Sequence, residues 1–416
     1  MPAVVVAHQT FVMVRKEVTF GVNPGAATIA PGFSAFTLQG KNTSISRPNG
    51  RKRPGVSLSP AGPYDAAGNL DPNPDPDTLA PFIAWAMGAQ TAPVAATYYT
   101  TALTSTSAVG SSIALAVTAG TGTDVLVGDS VIVGAGTANV ETCVVSAHAA
   151  NTVTVSNATK THAIGDTVQA LSTTAFFSTC SYGTTLPSFL LEYNRGYDCW
   201  DFSGTTIDSM KLGCAPGQLL VPSFGLVAAT EALQGSPATP AFSTAFPLHW
   251  EAPFPQTGLL NGVLFNGAVL PAGTILKKWD ASLANGLEKT FKPPGQRTVA
   301  AFPVGQRKAT VSATFSFADA SVYDTFLGTT SGPGPSIAGV SLAIPIASLT
   351  DADSTVGRTV PYSITVRTPN LYPTGDPVAG KQYGSLEQVF TADAAETPGN
   401  GNDLQIDLVT SSATAY

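Results

Sequence analysis

Charge is what this sequence has least of. Its 416 residues include 20 Lys and Arg and 27 Asp and Glu, or 11% charged, against roughly 25% for an ordinary globular protein. The formal net charge is -7. That balance excludes a protein that grips nucleic acid by its phosphates, which needs a basic face. The shortage is not a sign of disorder, because 44% of the residues are hydrophobic and supply a core. Long apolar runs are missing too. None approaches the ~18 residues of a membrane-spanning helix. The opening Met1-Pro-Ala-Val-Val-Val-Ala-His8 has no basic stretch ahead of its apolar residues, so no secretory signal is expected.

Cysteine is scarce. Cys143, Cys180, Cys199 and Cys214 form no CxxC pair of the kind that holds zinc. Four buried thiols in a reducing compartment are expected. A Cys199–Cys214 bridge is the alternative and would need oxidising surroundings. His148 and His162 share a segment with Cys143, but no carboxylate or second cysteine joins them at ligand spacing. The acidic stretch Asp71-Pro-Asn-Pro-Asp-Pro-Asp77 lacks the Gly and closing Glu of a calcium loop and reads as a Pro-stiffened connector. The motifs GxSxG, HExxH and GxxxxGK[ST] do not occur. Glu192, Asp198 and Asp201 lie close in sequence, as a glycosidase pair would require, but ordinary strand and turn carboxylates explain them. No catalytic residue, metal site or cofactor is expected.

In place of charge there are 40 Gly and 32 Pro, together with much Ala, Thr, Ser and Val. A neutral, Lys-poor chain of this kind suits a subunit whose surface is mostly covered by neighbours. Periodicity of two points to β structure nearly throughout. It is clearest in Ala309-Thr-Val-Ser-Ala-Thr-Phe-Ser-Phe317, where Val311, Ala313, Phe315 and Phe317 share one face and Thr310, Ser312, Thr314 and Ser316 the other. Tyr362–Arg367, Leu404–Leu408 and Phe189–Tyr193 repeat it. Two segments read as helices, 77–88 and 319–328, each with an acidic start and a Gly stop.

These helices mark an internal repeat. Upstream of each is a basic turn, Gly50-Arg-Lys-Arg-Pro-Gly and Gly305-Gln-Arg-Lys-Ala; downstream is a Pro-opened strand, from Leu186-Pro and from Val360-Pro. The order implies two similar β-lobes over 1–235 and 240–416. The first is interrupted at 108–171, where two Gly-Asp turns feeding Val-rich strands predict an inserted small β-barrel of five or six strands. That leaves 1–107 and 172–235 as the two parts of the first lobe. The long extended piece at 41–76 carries Arg47, Arg51, Lys52 and Arg53, a basic cluster in a charge-poor chain. Such an arm is expected to dock on a neighbouring subunit.

Several stretches together resemble one family. They include Arg15-Lys-Glu-Val-Thr-Phe-Gly21, Gly68-Asn-Leu-Asp-Pro leading into the first helix, and Pro187-Ser-Phe-Leu-Leu-Glu-Tyr193. Ile207-Asp-Ser-Met-Lys-Leu-Gly-Cys-Ala-Pro-Gly-Gln-Leu-Leu220 follows, and then Gly305–Asp319 with Tyr323-Asp-Thr-Phe-Leu327. In this order they resemble the tail tube (major tail) proteins of long-tailed, non-contractile bacteriophages, in the two-lobed form. The 108–171 insertion departs from that pattern.

The resemblance implies two tandem tail-tube-type β-sandwich lobes, each with a short helix, assembling as trimeric, pseudo-hexameric rings. Stacked rings would form a conduit through which phage DNA passes without specific binding. It implies a virion protein assembled in the host cytoplasm, with itself, the tape-measure protein and the terminator or distal tail proteins as partners and no membrane contact. A different self-assembling β protein, such as a capsid-decoration, surface-layer or pilus-type subunit, is the alternative. On the tail-tube reading Thr310, Ser312, Thr314 and Ser316 face the lumen, and the 47–53 cluster meets the adjacent ring.

Overall fold

The computed structural model describes residues 10–44, 61–215, 217–234, 239–245, 247–250, 262–270, 276–291, 296–316, 339–353, 355, 358–374, 378–379, 387–395 and 402–416. The protein is mainly β. Its principal first-half elements are β1 (Phe11–Lys16), β2 (Ala61–Pro72), α1 (Pro76–Met87), β3 (Val94–Ala102), β4 (Gly110–Ala116), β5 (Ser130–Val133), β6 (Glu141–Ala149) and β7 (Thr152–Ala158). They continue with β8 (Thr167–Tyr182), β9 (Phe189–Asn194), β10 (Cys199–Cys214), β11 (Val221–Ala228) and β12 (Thr230–Gln234). The second half supplies β13 (Leu276–Ala284), β14 (Lys308–Ser316), β15 (Val340–Asp351), β16 (Pro361–Pro373), β17 (Glu387–Ala394) and β18 (Gln405–Thr410). No described helix is long and apolar enough to cross a membrane.

Helix α1 organises the centre. Pro76 opens it, Asp77 sits in its first turn, and Gly88 at φ 89° closes it by donating to the Ala84 carbonyl. It begins one residue before the expected start, so Pro81 lies inside the helix and removes one backbone hydrogen bond. Every residue except Asp77 is buried, so the helix has no solvent face and must be covered all round. A small antiparallel sheet, β1–β9–β10–β12, covers one side. A large sheet covers the other. Phe82 touches Phe189 of the small sheet and Phe224 of the large one, and Trp85 stacks on Phe189 with centroids 4.8 Å apart. Each such fully buried side chain contributes about 1.5–3 kcal/mol.

The large sheet is antiparallel throughout. From β16 one wing runs β17–β14–β13–β10–β11–β2. The other runs β18–β8–β3, and β15 pairs along the opposite edge of β16. One continuous hydrophobic core takes residues from Val12 to Leu408. Thus the two sequence halves share an interior. Second-half residues even receive the end of the first-half helix. The fully buried Asn285 donates from Nδ2 to the Ala86 and Ile207 carbonyls at 3.1 and 2.9 Å. Arg307 reaches the Met87 carbonyl with its guanidinium 4.8 Å from the Tyr182 ring, a cation at the negative end of the helix dipole. The second expected helix, 319–328, lies outside the described residues.

Six strands close into a small barrel in the order β3–β8–β5–β6–β7–β4. A bridge between Leu103 and Val117 completes the circuit. Val131, Val133, Val145, Val153, Val155 and Val168 fill it. Its two Gly-Asp turns place Gly128 at φ 95° and Gly165 at φ 89°, where a side chain would be strained. The barrel's core includes Tyr99 and Leu103, upstream of residue 108, because β3 and β8 are long strands shared with the body.

A buried ion cluster fixes the barrel to the second half. Arg358, 8% exposed, pairs with Asp129 from the barrel and with Asp353 at 3.1 Å. Thr173 Oγ1 accepts a further bond from Arg358 at 2.7 Å, and the Tyr98 hydroxyl donates to Asp129. Removing one member of such a cluster leaves charges buried without compensation. Arg358→Ala is therefore expected to lower the unfolding free energy in urea by about 3–5 kcal/mol. The double variant Arg358→Ala/Asp129→Ala should lose less than the two single variants together.

Candidate functional site: an uncovered polar sheet face

Along the wing β2–β11–β10–β13–β14–β17, alternate side chains point away from the helix. On β14, Ala309, Val311, Ala313 and Phe315 are buried, whereas Thr310, Ser312, Thr314 and Ser316 are half-buried on the opposite face. The register carries this face across six strands. One row runs Asp393, Thr310, Ser282, Lys211 and Ser223, and the Ser223 hydroxyl donates to Asp71 on β2 at 2.5 Å. A second row holds Thr391, Ser312, Asp280 and Gly213. The face is covered at one end, where Val299 and Phe302 pack on Val227 of β11. It carries a shallow depression of about 450 Å³ whose lining includes Asn69, Ser209, Lys211, Ser223, Ser282 and Thr310.

The chemistry of the face is short hydroxyls and cancelled charge. Ser282 Oγ and Thr310 Oγ1 hydrogen-bond at 2.6 Å. Lys211 lies 3.7 Å from Asp280, and Lys308 lies 3.1 Å from Asp393. Exposed pairs like these add little stability, but they place a carboxylate beside Lys211 and beside Lys308 and flatten the field there.

The other singled-out residues go elsewhere. Arg47, Arg51, Lys52 and Arg53 lie outside the described residues. All four cysteines are free and buried, with no Cys199–Cys214 bridge. His162 Nε2 lies 2.8 Å from Glu141 Oε1, inside the barrel wall. Burial tends to raise the Glu141 pKa, but hydrogen bonds from Thr159, His162 and Lys160 outweigh it and hold the carboxyl at about 2. His148 sits on an exposed part of β6, across from Val153. Among the described residues, no three His, Cys, Asp or Glu side chains converge as metal ligands. The acidic stretch is structural: Asp71 accepts from Ser223, Asp75 holds the N-cap position and Asp77 the first turn of α1. Glu192 and Asp201 do come together, but at 0% and 5% exposure they are closed to any substrate. Asp198 accepts the Trp200 indole N–H.

Sequence reasoning found the β14 part of the face and missed the rest. The missed signal is the alternation Ser209, Lys211, Gly213 against Met210, Leu212, Cys214 in β10. If paired carboxylates keep this face indifferent to polyanions, Asp280→Asn/Asp393→Asn should expose Lys211 and Lys308. The double variant should then be retained on immobilised heparin at low ionic strength and released by salt, where the parent protein flows through. Equal retention of both proteins would show that the pairing does not set the face's affinity.

Comparison with known proteins finds no matching family model and no similar curated protein.

Proposed function

We propose that this chain is a structural subunit of a bacteriophage tail tube. It would assemble into stacked rings whose inner wall carries the polar face of the large sheet. The observation that supports this most is that face itself. It is a six-stranded antiparallel surface rich in Ser and Thr, with charge-paired Lys and Asp and the exposed Val221 and Val389, packed on the core behind and covered in front only at its Val227 end among the described residues. A wall past which duplex DNA slides must not collect phosphates, because each captured phosphate releases counterions and adds affinity. Hydroxyls and paired charges meet that requirement, and the overall charge of -7 agrees with it.

Assembly would use the sheet edges. Among the described residues β12 pairs only with β10, and strand Gln39–Ser44 pairs only with β2. Open edges invite pairing with another chain, and closing a ring removes them. Two tandem lobes in each subunit would make a trimer pseudo-six-fold. The 47–53 basic cluster would join one ring to the next. The tape-measure and terminal tail proteins would bound the tube.

Negative-stain electron microscopy of the purified protein tests this reading. Hollow tubes of stacked rings, three-fold in top view, are expected. Particles that stay monomeric at every concentration and salt would refute it. Neutralising Arg47, Arg51, Lys52 and Arg53 together should leave rings but shorten or abolish tubes, whereas undiminished tube length would remove the docking role of the cluster.

A further inference from the structure

The outer face of the small sheet holds an acidic pair that the proposed function does not use. Glu192 on β9 and Asp201 on β10 stand directly opposite each other in register, at 0% and 5% exposure. The segment 17–30 lies over them as an arm, and carboxylates hold it at three points. Asn23 Nδ2 donates to Asp201 Oδ2 at 3.0 Å, and the Ala27 N–H donates to Glu192 Oε1 at 3.0 Å. At its root Glu17 accepts from the Gly21 and Gly204 N–H groups and the Ser188 hydroxyl. At its far end Ile29 pairs with Val14 on the free side of β1. Ala27 and Ala30 of the arm pack with Met13 of β1 in a small apolar cluster separate from the main core.

The remaining oxygen of Asp201, Oδ1, is buried with no hydrogen-bond partner. The groups around it are identifiable element by element. Across β9 is Glu192. Along β10 is the Cys199 thiol, which burial first and then the nearby carboxylates push up to about 12, so it stays neutral. Asp198, next along, is engaged by Trp200. On β12 the residue opposite Asp201 is Ala232, and neighbouring Glu231 is engaged by the Tyr64 hydroxyl. On β1 the residue opposite Glu192 is Met13, and Arg15 donates to the Ala26 carbonyl of the arm. Among the described residues, Asp201 therefore meets an amide where a buried carboxylate normally meets a cation, and the Glu192 carboxylate stands opposite it.

We propose that the Asp201–Glu192 pair is a proton-operated latch, which docks the 17–30 arm when Asp201 carries a proton and loosens it when both groups are ionised. A protonated Asp201 donates from Oδ1 towards Glu192 while Oδ2 still accepts from Asn23. Ionisation removes that donor and sets two buried negative charges against each other. Burial, and then the Glu192 charge, raise the Asp201 carboxyl to about 6. The docked form thus binds a proton more tightly than the undocked form, where the group has its ordinary value of about 4. The latch is accordingly firm below about pH 4 and weakens as pH rises through 6. Between pH 5 and pH 8 the docking equilibrium should fall by about tenfold.

Amide hydrogen exchange on the full chain measures this directly, because the Ala27 N–H is itself bonded to Glu192. After correction for the intrinsic pH dependence of exchange, protection of residues 21–29 should drop about tenfold from pH 5 to pH 8. The barrel strands, as internal control, should not change. In Asp201→Asn the amide donates permanently to Glu192 and still accepts from Asn23, so protection should stay high at both pH values. Glu192→Gln, which removes the opposing charge but not the burial, should weaken the dependence. Equal protection of the parent arm at the two pH values would overturn the proposal. So would a tenfold drop that persists in both variants. The measurement is made on unassembled protein, so it stands or falls separately from the tail-tube reading.

Discussion

A helix that is apolar on every side has to be covered on every side, and most of this fold follows from that requirement. Phe82 is covered from both sides, by Phe189 of the small sheet and Phe224 of the large one, and Trp85 stacks on the same Phe189. The carbonyls at the helix end must be met as well. Asn285 and Arg307, far along the chain, meet them. The helix therefore acts as a shared core element. It commits the second half of the sequence to the interior of the first, and the hydrophobic core accordingly runs from Val12 to Leu408 without a break.

Once one face of the large sheet is taken by the helix, the opposite face is free to carry chemistry. What it carries is restrained. Short hydroxyls bond to each other across strands, as Ser282 and Thr310 do, and lysines stand beside aspartates. In water such pairs are worth little to stability. Their value is to the field above the surface, which an unpaired lysine would make attractive to any polyanion within a Debye length of about 8–10 Å.

Local features were legible in the sequence where local physics decides them. The β14 alternation, the position of α1, its Gly88 stop and the Gly-Asp turns of the barrel all depend on residues within a few positions of each other, and each is where the residues imply. The structure differs at the start of α1, because Pro76 is a better first helical residue than Asp77 and draws the helix back by one. What could not be read was set by contacts between distant parts of the chain. Nothing near Asn285 announces a helix cap, because the carbonyl it serves belongs to Ala86. Arg358 reads as one more loop cation until Asp129 and Asp353 are brought to it. The polar face was legible one strand at a time, but its width was not, because strand order across β10, β13 and β14 is a tertiary fact.

The two buried acidic clusters show how one kind of residue serves opposite ends. Asp129 and Asp353 face a guanidinium with five donors in a fixed fork, and the Asp353 carboxyl is held well below the usual carboxylate range: burial pushes it up, but hydrogen bonds from Ser172, Thr355 and Thr174 outweigh that. Asp353 therefore stays ionised across the physiological range. Asp201 is as deeply placed but faces Glu192 and the amide of Asn23. An amide satisfies a lone pair without neutralising a charge, so the cost of ionisation remains in the site and must be met by a proton or by movement. The difference between a permanent joint and a conditional one therefore comes down to whether the buried carboxylate is given a cation. In a chain with only 20 basic residues, giving one to Asp129 and, among the described residues, none to Asp201 is a structural choice with a predictable consequence.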